Sequence, residues 1–283
     1  MQTRKFGWTG IGIPGIGQGT WQIEGSAEQE NRAVETLRLG LDLGMTHIDT
    51  AEMYGNGRAE ELVAKAISGR RDEVFLASKV LPQNASYEGT LAACERSLRR
   101  LQTNRLDLYM LHWPGNHPVR ETMRAMEKLV ADRLVRFIGV SNFDVLELQA
   151  VEAALRNERL ACNQVLYHLG DRGIERRLIP YCASREIAVV AYSPFGQHRF
   201  PATRTSGGRV LAEIAARENR TARQVALNFL TRDPNVFTIP KTTHPERARE
   251  NAGGAGWRLA PEEISAIEKA FPAPDHDTPL SML

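Results

Sequence analysis

The chain has 283 residues, 42% of them hydrophobic and 25% charged, with lysine plus arginine totalling 36 against 34 aspartates plus glutamates and a net charge of +2. These proportions are those of an ordinary soluble globular protein and exclude a disordered, fibrous or disulfide-scaffold chain. So even a balance provides no field for nucleic acid or an anionic membrane, so any anionic ligand must be held by local positive charge.

The first eight residues, Met1 to Trp8, contain no apolar segment ahead of a cleavage site, and apolar runs such as residues 187–191 are too short to span a bilayer. The expected location is the cytoplasm, with no membrane partner. Residues 3–13 read as a β-hairpin turning at Thr9-Gly10. Eight short apolar runs then read as strands, over 15–19, 46–49, 74–79, 106–112, 135–140, 160–164, 187–191 and 236–239. Between and after them, amphipathic spacing predicts helices over 28–43, 58–67, 87–101, 120–131, 145–155, 174–184, 210–232 and 245–251. Residues 261–270 read as one more helix, begun by Pro261. Strand then helix eight times over is the pattern of a (β/α)8 TIM barrel, here with an N-terminal β-hairpin and an extra C-terminal helix, in a single domain. Residues 196–208 are a loose basic loop after the seventh strand.

Gly10-Ile-Gly12-Ile-Pro-Gly15 fits the letters of a dinucleotide fingerprint but lacks its context. That fingerprint follows a buried strand and opens into a helix whose N-terminus receives the pyrophosphate, whereas Pro14 and a following strand and loop stand here. The glycines read instead as a tight hairpin and a first barrel strand that a ligand approaches closely. Cys94, Cys162 and Cys182 make no CxxC pair and the seven histidines no HExxH, so no metal site is indicated.

In a (β/α)8 barrel, chemistry sits at the C-terminal ends of the strands. Asp49, Lys79 and His112 close the second, third and fourth strands, and Tyr54 follows the second. Such a group suits protonation of a carbonyl oxygen while hydride arrives at carbon. A free phenol has a pKa near 10, so exchanging its proton near neutrality asks for a depression of roughly 2–3 units. Lys79 beside Tyr54 would supply it, with Asp49 fixing the lysine and His112 hydrogen-bonding the substrate oxygen.

The chain resembles the aldo-keto reductase family through Gly17-Gln-Gly-Thr-Trp21, Ile48-Asp-Thr-Ala-Glu-Met-Tyr54, Ser78-Lys79, Leu108-Tyr-Met-Leu-His112-Trp113, Ile138-Gly-Val-Ser-Asn-Phe143, Asn163-Gln164-Val165, Ala191-Tyr-Ser-Pro194 and Ile239-Pro-Lys-Thr242. The resemblance implies a catalytic tetrad of Asp49, Tyr54, Lys79 and His112, with Tyr54 as general acid, and carbonyl reduction by NADPH (NADP+ when oxidised) lying across the barrel mouth. It places the nicotinamide carboxamide against Ser141, Asn142 and Gln164, the ring on Tyr192, and the rest of the cofactor along Gly19, Thr20, Trp21, Asp49, Ser193, Phe195 and Gly196. Lys241, Thr242 and Arg247 would hold the adenosine 2′-phosphate, with Asn251 near the adenine. Thr243 and Glu246 read as a capping box that presents free N–H groups there. Arg199 and Arg204 either close over the phosphates or belong to an exposed basic loop.

Trp21 and Trp113, with Tyr54 and His112, are the expected substrate-binding residues. The short loop 114–119 and the twelve residues after Phe271 predict a shallow, open pocket for a small carbonyl substrate. Leu166-Tyr-His-Leu-Gly170 departs from the commoner family pattern and looks most like the bacterial branch that contains methylglyoxal reductases and diketogluconate reductase-like proteins. The leading expectation is reduction of small aldehydes or dicarbonyls. Two alternatives stand beside it: a catalytically weak cofactor-binding redox sensor or partner protein, and an isomerase or lyase using Lys79 as a Schiff base. Nothing points to an obligate protein partner.

Overall fold

The computed structural model describes residues 1–283. Strands β1 (Thr3–Lys5) and β2 (Gly12–Pro14) form an antiparallel hairpin joined through a 3-10 turn, with Gly10 left-handed at φ 71°. The dinucleotide-like glycines thus lie in this hairpin and the segment after it. Eight parallel strands follow: β3 (Gln18–Gly19), β4 (His47–Asp49), β5 (Phe75–Val80), β6 (Leu106–Leu111), β7 (Val135–Ser141), β8 (Leu160–Leu166), β9 (Ala188–Tyr192) and β10 (Val236–Thr238). Each pairs with its chain neighbour. The sheet closes where the first strand meets the last: Gly17 N donates to the Thr238 carbonyl at 2.7 Å and Thr238 N to the Gly15 carbonyl at 2.9 Å. Glycine permits this seam, because a Cβ on Gly19 would lie 2.7 Å from the Ile239 carbonyl oxygen.

Around the barrel run α1 (Ala27–Asp42), α2 (Arg58–Ile67), α3 (Tyr87–Leu101), α4 (Val119–Ala131), α5 (Val145–Ala154), α6 (Leu178–Ser184), α7 (Ser206–Arg217), α8 (Ala222–Leu230) and α9 (Pro245–Ala252), with α10 (Pro261–Ala270) as the additional helix. Outward-facing strand residues such as Ile48, Leu76, Tyr109 and Val140 pack against these helices. Inward-facing Phe75, Leu108, Met110, Val190 and Phe237 fill the barrel, and Phe6 of the hairpin plugs its N-terminal end, with ring centroids 5.1 Å from Phe75 and 5.2 Å from Phe237. No helix is long and apolar enough to cross a membrane.

Four sequence expectations are corrected here. The helix expected over 210–232 is two helices: Asn219, left-handed at φ 52°, ends α7, and a Thr221–Gln224 capping box starts α8. Residues 206–208, assigned to the loose loop, are the first turn of α7, because Thr205 caps the Gly208 N–H. The helix expected over 174–184 is a 3-10 turn at Gly173–Glu175 followed by α6. A continuous helix would have put Pro180 in its interior, where it has no N–H to give, whereas α6 takes it in the first turn. The Thr243–Glu246 capping box is absent: with Pro245 at the first helical position, the cap is His244, and Thr242 Oγ1 accepts from the His244 N–H instead.

Candidate active site

Because strand side chains alternate, each inward series climbs one face of the barrel wall. Phe75 and Ala77 lead up to Lys79, and Leu108 and Met110 lead to His112, so apolar filling gives way to polar groups at the C-terminal mouth. There the Lys79 ammonium, fully buried, donates to Asp49 Oδ1 (2.5 Å), the Thr50 carbonyl (2.9 Å) and the Tyr54 hydroxyl oxygen (3.2 Å). An ammonium has three hydrogens and no acceptor, so all three are spent and the Tyr54 oxygen accepts. Its own proton is left free to donate at the mouth, which Tyr54 lines beside His112, the two ring centroids 5.7 Å apart.

Burial raises the Tyr54 phenol, and the neighbouring Lys79 charge offsets this only in part. The depressed phenol expected from sequence is therefore not found: Tyr54 rests protonated, as a donor must. Burial pulls Lys79 down, but Asp49 and Tyr54 together outweigh it and hold the ammonium above its ordinary value. A Schiff-base lysine needs the opposite shift. Burial, then Lys79, pushes His112 down to about 2, so its imidazole is neutral.

Next to this group lies a matched donor and acceptor pair. Gln164 Nε2 donates to Asp49 Oδ2 at 2.7 Å, and since a carboxylate only accepts, the amide cannot be the other way round. Gln164 Oε1 is left as a free acceptor. Ser141 Oγ accepts from Asn142 Nδ2 at 3.1 Å, which leaves the serine proton to donate. Asn142 is itself held by the His112 carbonyl and by the Tyr192 hydroxyl, which donates to Asn142 Oδ1 at 2.8 Å. One free donor beside one free acceptor complements a primary carboxamide, so these residues fit a nicotinamide.

The tetrad and amide pair open into a cavity of about 490 Å³, also lined by Gly19, Thr20, Trp21, Trp113, Ser193 and Lys241. Met53, Ile239, Met282 and Leu283 line it as well and were missed from sequence. The short tail does not leave the mouth bare: residues 272–283 run back to the cavity, where Met282 and Leu283, 52% and 63% exposed, form part of a wall that stays open to solvent. Asp277 takes Arg176 at 2.7 Å and Arg177 at 3.1 Å, Leu280 packs on the core, and Met282 and Leu283 arrive at the cavity wall. The only hint was the apolar Met-Leu ending of a polar segment.

Farther along, Phe195, Gly196, Thr242, Arg247 and Asn251 stand outside this cavity. Phe195 packs against Ile16, Met45, Leu227 and Ala248, under the Arg223 guanidinium 4.7 Å above its ring. Arg247 is exposed on the first turn of α9 and Asn251 is buried on its last. Arg199 and Arg204 are exposed. The three thiols are buried, and burial pushes Cys94 and Cys182 up to about 12, which makes them inert.

Among known proteins, the model of the aldo/keto reductase family matches residues 15–271. The chain is 42% identical to methylglyoxal reductase YeaE of Escherichia coli over 284 residues, covering 100% of both. It is 35% identical to glyoxal reductase of Bacillus subtilis over 274 residues, covering 94% of each. A crystal structure of an aldo/keto reductase from Klebsiella pneumoniae in complex with NADP and acetate superposes with a TM-score of 0.94 at 41% identity, over 100% of both chains. With a fold, a mouth and a full-length likeness that agree, the chain belongs to the aldo/keto reductase family of oxidoreductases.

Proposed function

We propose that the protein uses NADPH to reduce small aldehydes and dicarbonyls, methylglyoxal and related 2-oxoaldehydes among them, with Tyr54 as general acid. The observation that carries this reading is the saturated Lys79 ammonium, which takes the Tyr54 oxygen as acceptor and leaves the phenol proton free to donate at the mouth. Similarity to a methylglyoxal reductase and a glyoxal reductase supports the substrate class. The Ser141 and Gln164 pair supports the cofactor, as does the NADP of the Klebsiella structure.

When bound, the cofactor supplies hydride to the carbonyl carbon. Ser141 donates to its carboxamide oxygen and Gln164 accepts from its amide nitrogen, while Asn142 holds Ser141 and Tyr192 in place. Lys241, Thr242 and Arg247 at the start of α9 meet the 2′-phosphate with charge and free N–H groups, and Asn251 lies towards the adenine. Gly19, Thr20, Ser193, Phe195 and Gly196 form the trough between. Trp21 and Trp113 wall the substrate, and neutral His112 donates a hydrogen bond to its carbonyl oxygen. Tyr54 then protonates that oxygen, and the phenolate left behind is held by Lys79, whose charge Asp49 secures, until solvent returns the proton.

Loss of NADPH absorbance with methylglyoxal and a panel of small aldehydes tests this, with Tyr54→Phe in parallel. The variant is expected to bind NADPH normally and to lose turnover by about 10²- to 10⁴-fold. Retained turnover removes Tyr54 from its role. Tight NADPH binding by the wild type without turnover of any carbonyl favours the redox-sensor reading instead.

A further inference from the structure

Tyr54 opens a short turn that is held by main-chain hydrogen bonds alone. The three residues after it, Gly55, Asn56 and Gly57, are all left-handed (φ 55°, 53° and 93°), and no side chain caps either this turn or the start of α2. Left-handed runs are intrinsically unfavourable for L-residues, and only glycine and asparagine visit them readily. Something else must fix the Tyr54 hydroxyl 3.2 Å from a lysine borne on a different strand.

Glu52 supplies two ties to that strand. Its N–H donates to the Lys79 carbonyl at 3.3 Å. Its buried carboxylate reaches past Lys79 to accept the Leu81 N–H at 2.8 Å and Asn84 Nδ2 at 2.9 Å on Oε1, with Arg96 Nη2 at 3.4 Å from Oε2. Main chain and side chain of one residue therefore clamp the Tyr54 loop to the strand end at Lys79 and again two residues beyond it. The carboxylate is not part of the cavity wall, so it touches no substrate.

We infer that Glu52 is a positioning residue, which sets the Tyr54–Lys79 separation by tying the loop of one to the strand end of the other. The inference rests on Tyr54 as the acid. Misplacing a reacting group by an ångström costs about a hundredfold in rate.

Glu52→Ala and Glu52→Gln, with Tyr54→Phe alongside, test it by kcat, NADPH dissociation constant and thermal midpoint. Glu52→Ala is expected to lower kcat by about tenfold to a hundredfold with NADPH affinity within twofold of wild type. Glu52→Gln, which keeps an acceptor for Leu81, is expected to recover kcat to within about threefold of wild type. Unchanged kcat in Glu52→Ala overturns the inference, as does a loss matched by falling NADPH affinity and not rescued by glutamine. If Glu52→Ala does not fold, Asn84→Ala decides: kcat reduced at wild-type NADPH affinity supports the clamp, and wild-type kcat overturns it. An active Tyr54→Phe overturns the acid assignment itself, whatever the Glu52 variants do.

Discussion

Gln164 Nε2 donates to Asp49 Oδ2 while Lys79 holds Asp49 Oδ1, so the residue proposed to meet the carboxamide and the residue that holds the Tyr54 oxygen share one carboxylate. The consequence is polarity: Asp49 fixes which way the Gln164 amide points, so its oxygen stands free as an acceptor beside one remaining amide hydrogen. A cofactor analogue carrying nicotinic acid in place of nicotinamide would set a carboxylate against that oxygen. Titration of protein fluorescence should show such an analogue binding at least about tenfold more weakly than NADP+, equivalent to about 1.4 kcal/mol. Equal affinities would mean that Gln164 does not read the amide.

The Asp49–Lys79 pair is buried at 0–2% side-chain exposure, so breaking it strands a charge. Lys79→Met is expected to abolish turnover and to cost about 3–5 kcal/mol in urea unfolding, while the double variant Asp49→Asn/Lys79→Met regains much of the stability but none of the activity. A fully stable Lys79→Met would show that Asp49 finds another partner or a proton.

Two buried histidines are expected to lower stability in acid. Burial pushes His112 down to about 2 and His47 down to about 4, and neither His47 ring nitrogen has a partner. Above the unfolded value near 6.5, both states carry neutral imidazoles and there is no penalty. Below it only the unfolded chain takes up protons, so stability falls with pH, by about 1.4 kcal/mol per unit for each histidine until the folded value is reached. Unfolding free energies between pH 4.5 and 6.5 should show about twice that slope, halved in His47→Leu. A flat profile would mean that both rings take up protons in the fold, and half the slope that one of them does.

The proposed function gives Arg247 and Lys241 the choice of cofactor. Neither is committed to a salt bridge, and both flank the start of α9. Arg247→Ala should lower the ratio of kcat/KM for NADPH over NADH by about tenfold, since a charge-assisted hydrogen bond contributes about 1.5–3 kcal/mol. An unchanged ratio would place the 2′-phosphate elsewhere.

The tail makes a separate prediction. Deleting Met282 and Leu283 removes apolar wall without touching the tetrad. KM for apolar aldehydes should rise by about threefold to tenfold with kcat within twofold, because Met282 and Leu283 are half exposed and contribute only part of the roughly 1.5–3 kcal/mol of a fully buried apolar side chain. Unchanged KM would show that substrates do not reach this wall.

Much of this protein was determined by local sequence. Alternating apolar runs and amphipathic stretches specify the repeating strand and helix, and the bounds of α2 and α3 were legible from apolar spacing and those of α10 from Pro261. Asp49, Lys79 and His112 could be placed at one end of the barrel because period two and strand direction alone decide which residue tops each wall. The break at Asn219-Arg-Thr221 was also written locally and was outweighed by continuous apolar spacing on either side. What the tertiary structure alone decided is everything that depends on distance through space. It determined the path of residues 272–283 back to the mouth, fastened by charges a hundred residues apart in the chain. Likewise the phenol of Tyr54 is raised rather than lowered, since desolvation depends on every neighbour at once. The amide polarity of Gln164 and the reach of Glu52 to Leu81 belong to the same class, because residues on strands facing each other across the barrel, or following neighbouring strands, meet at separations that no spacing along the chain encodes.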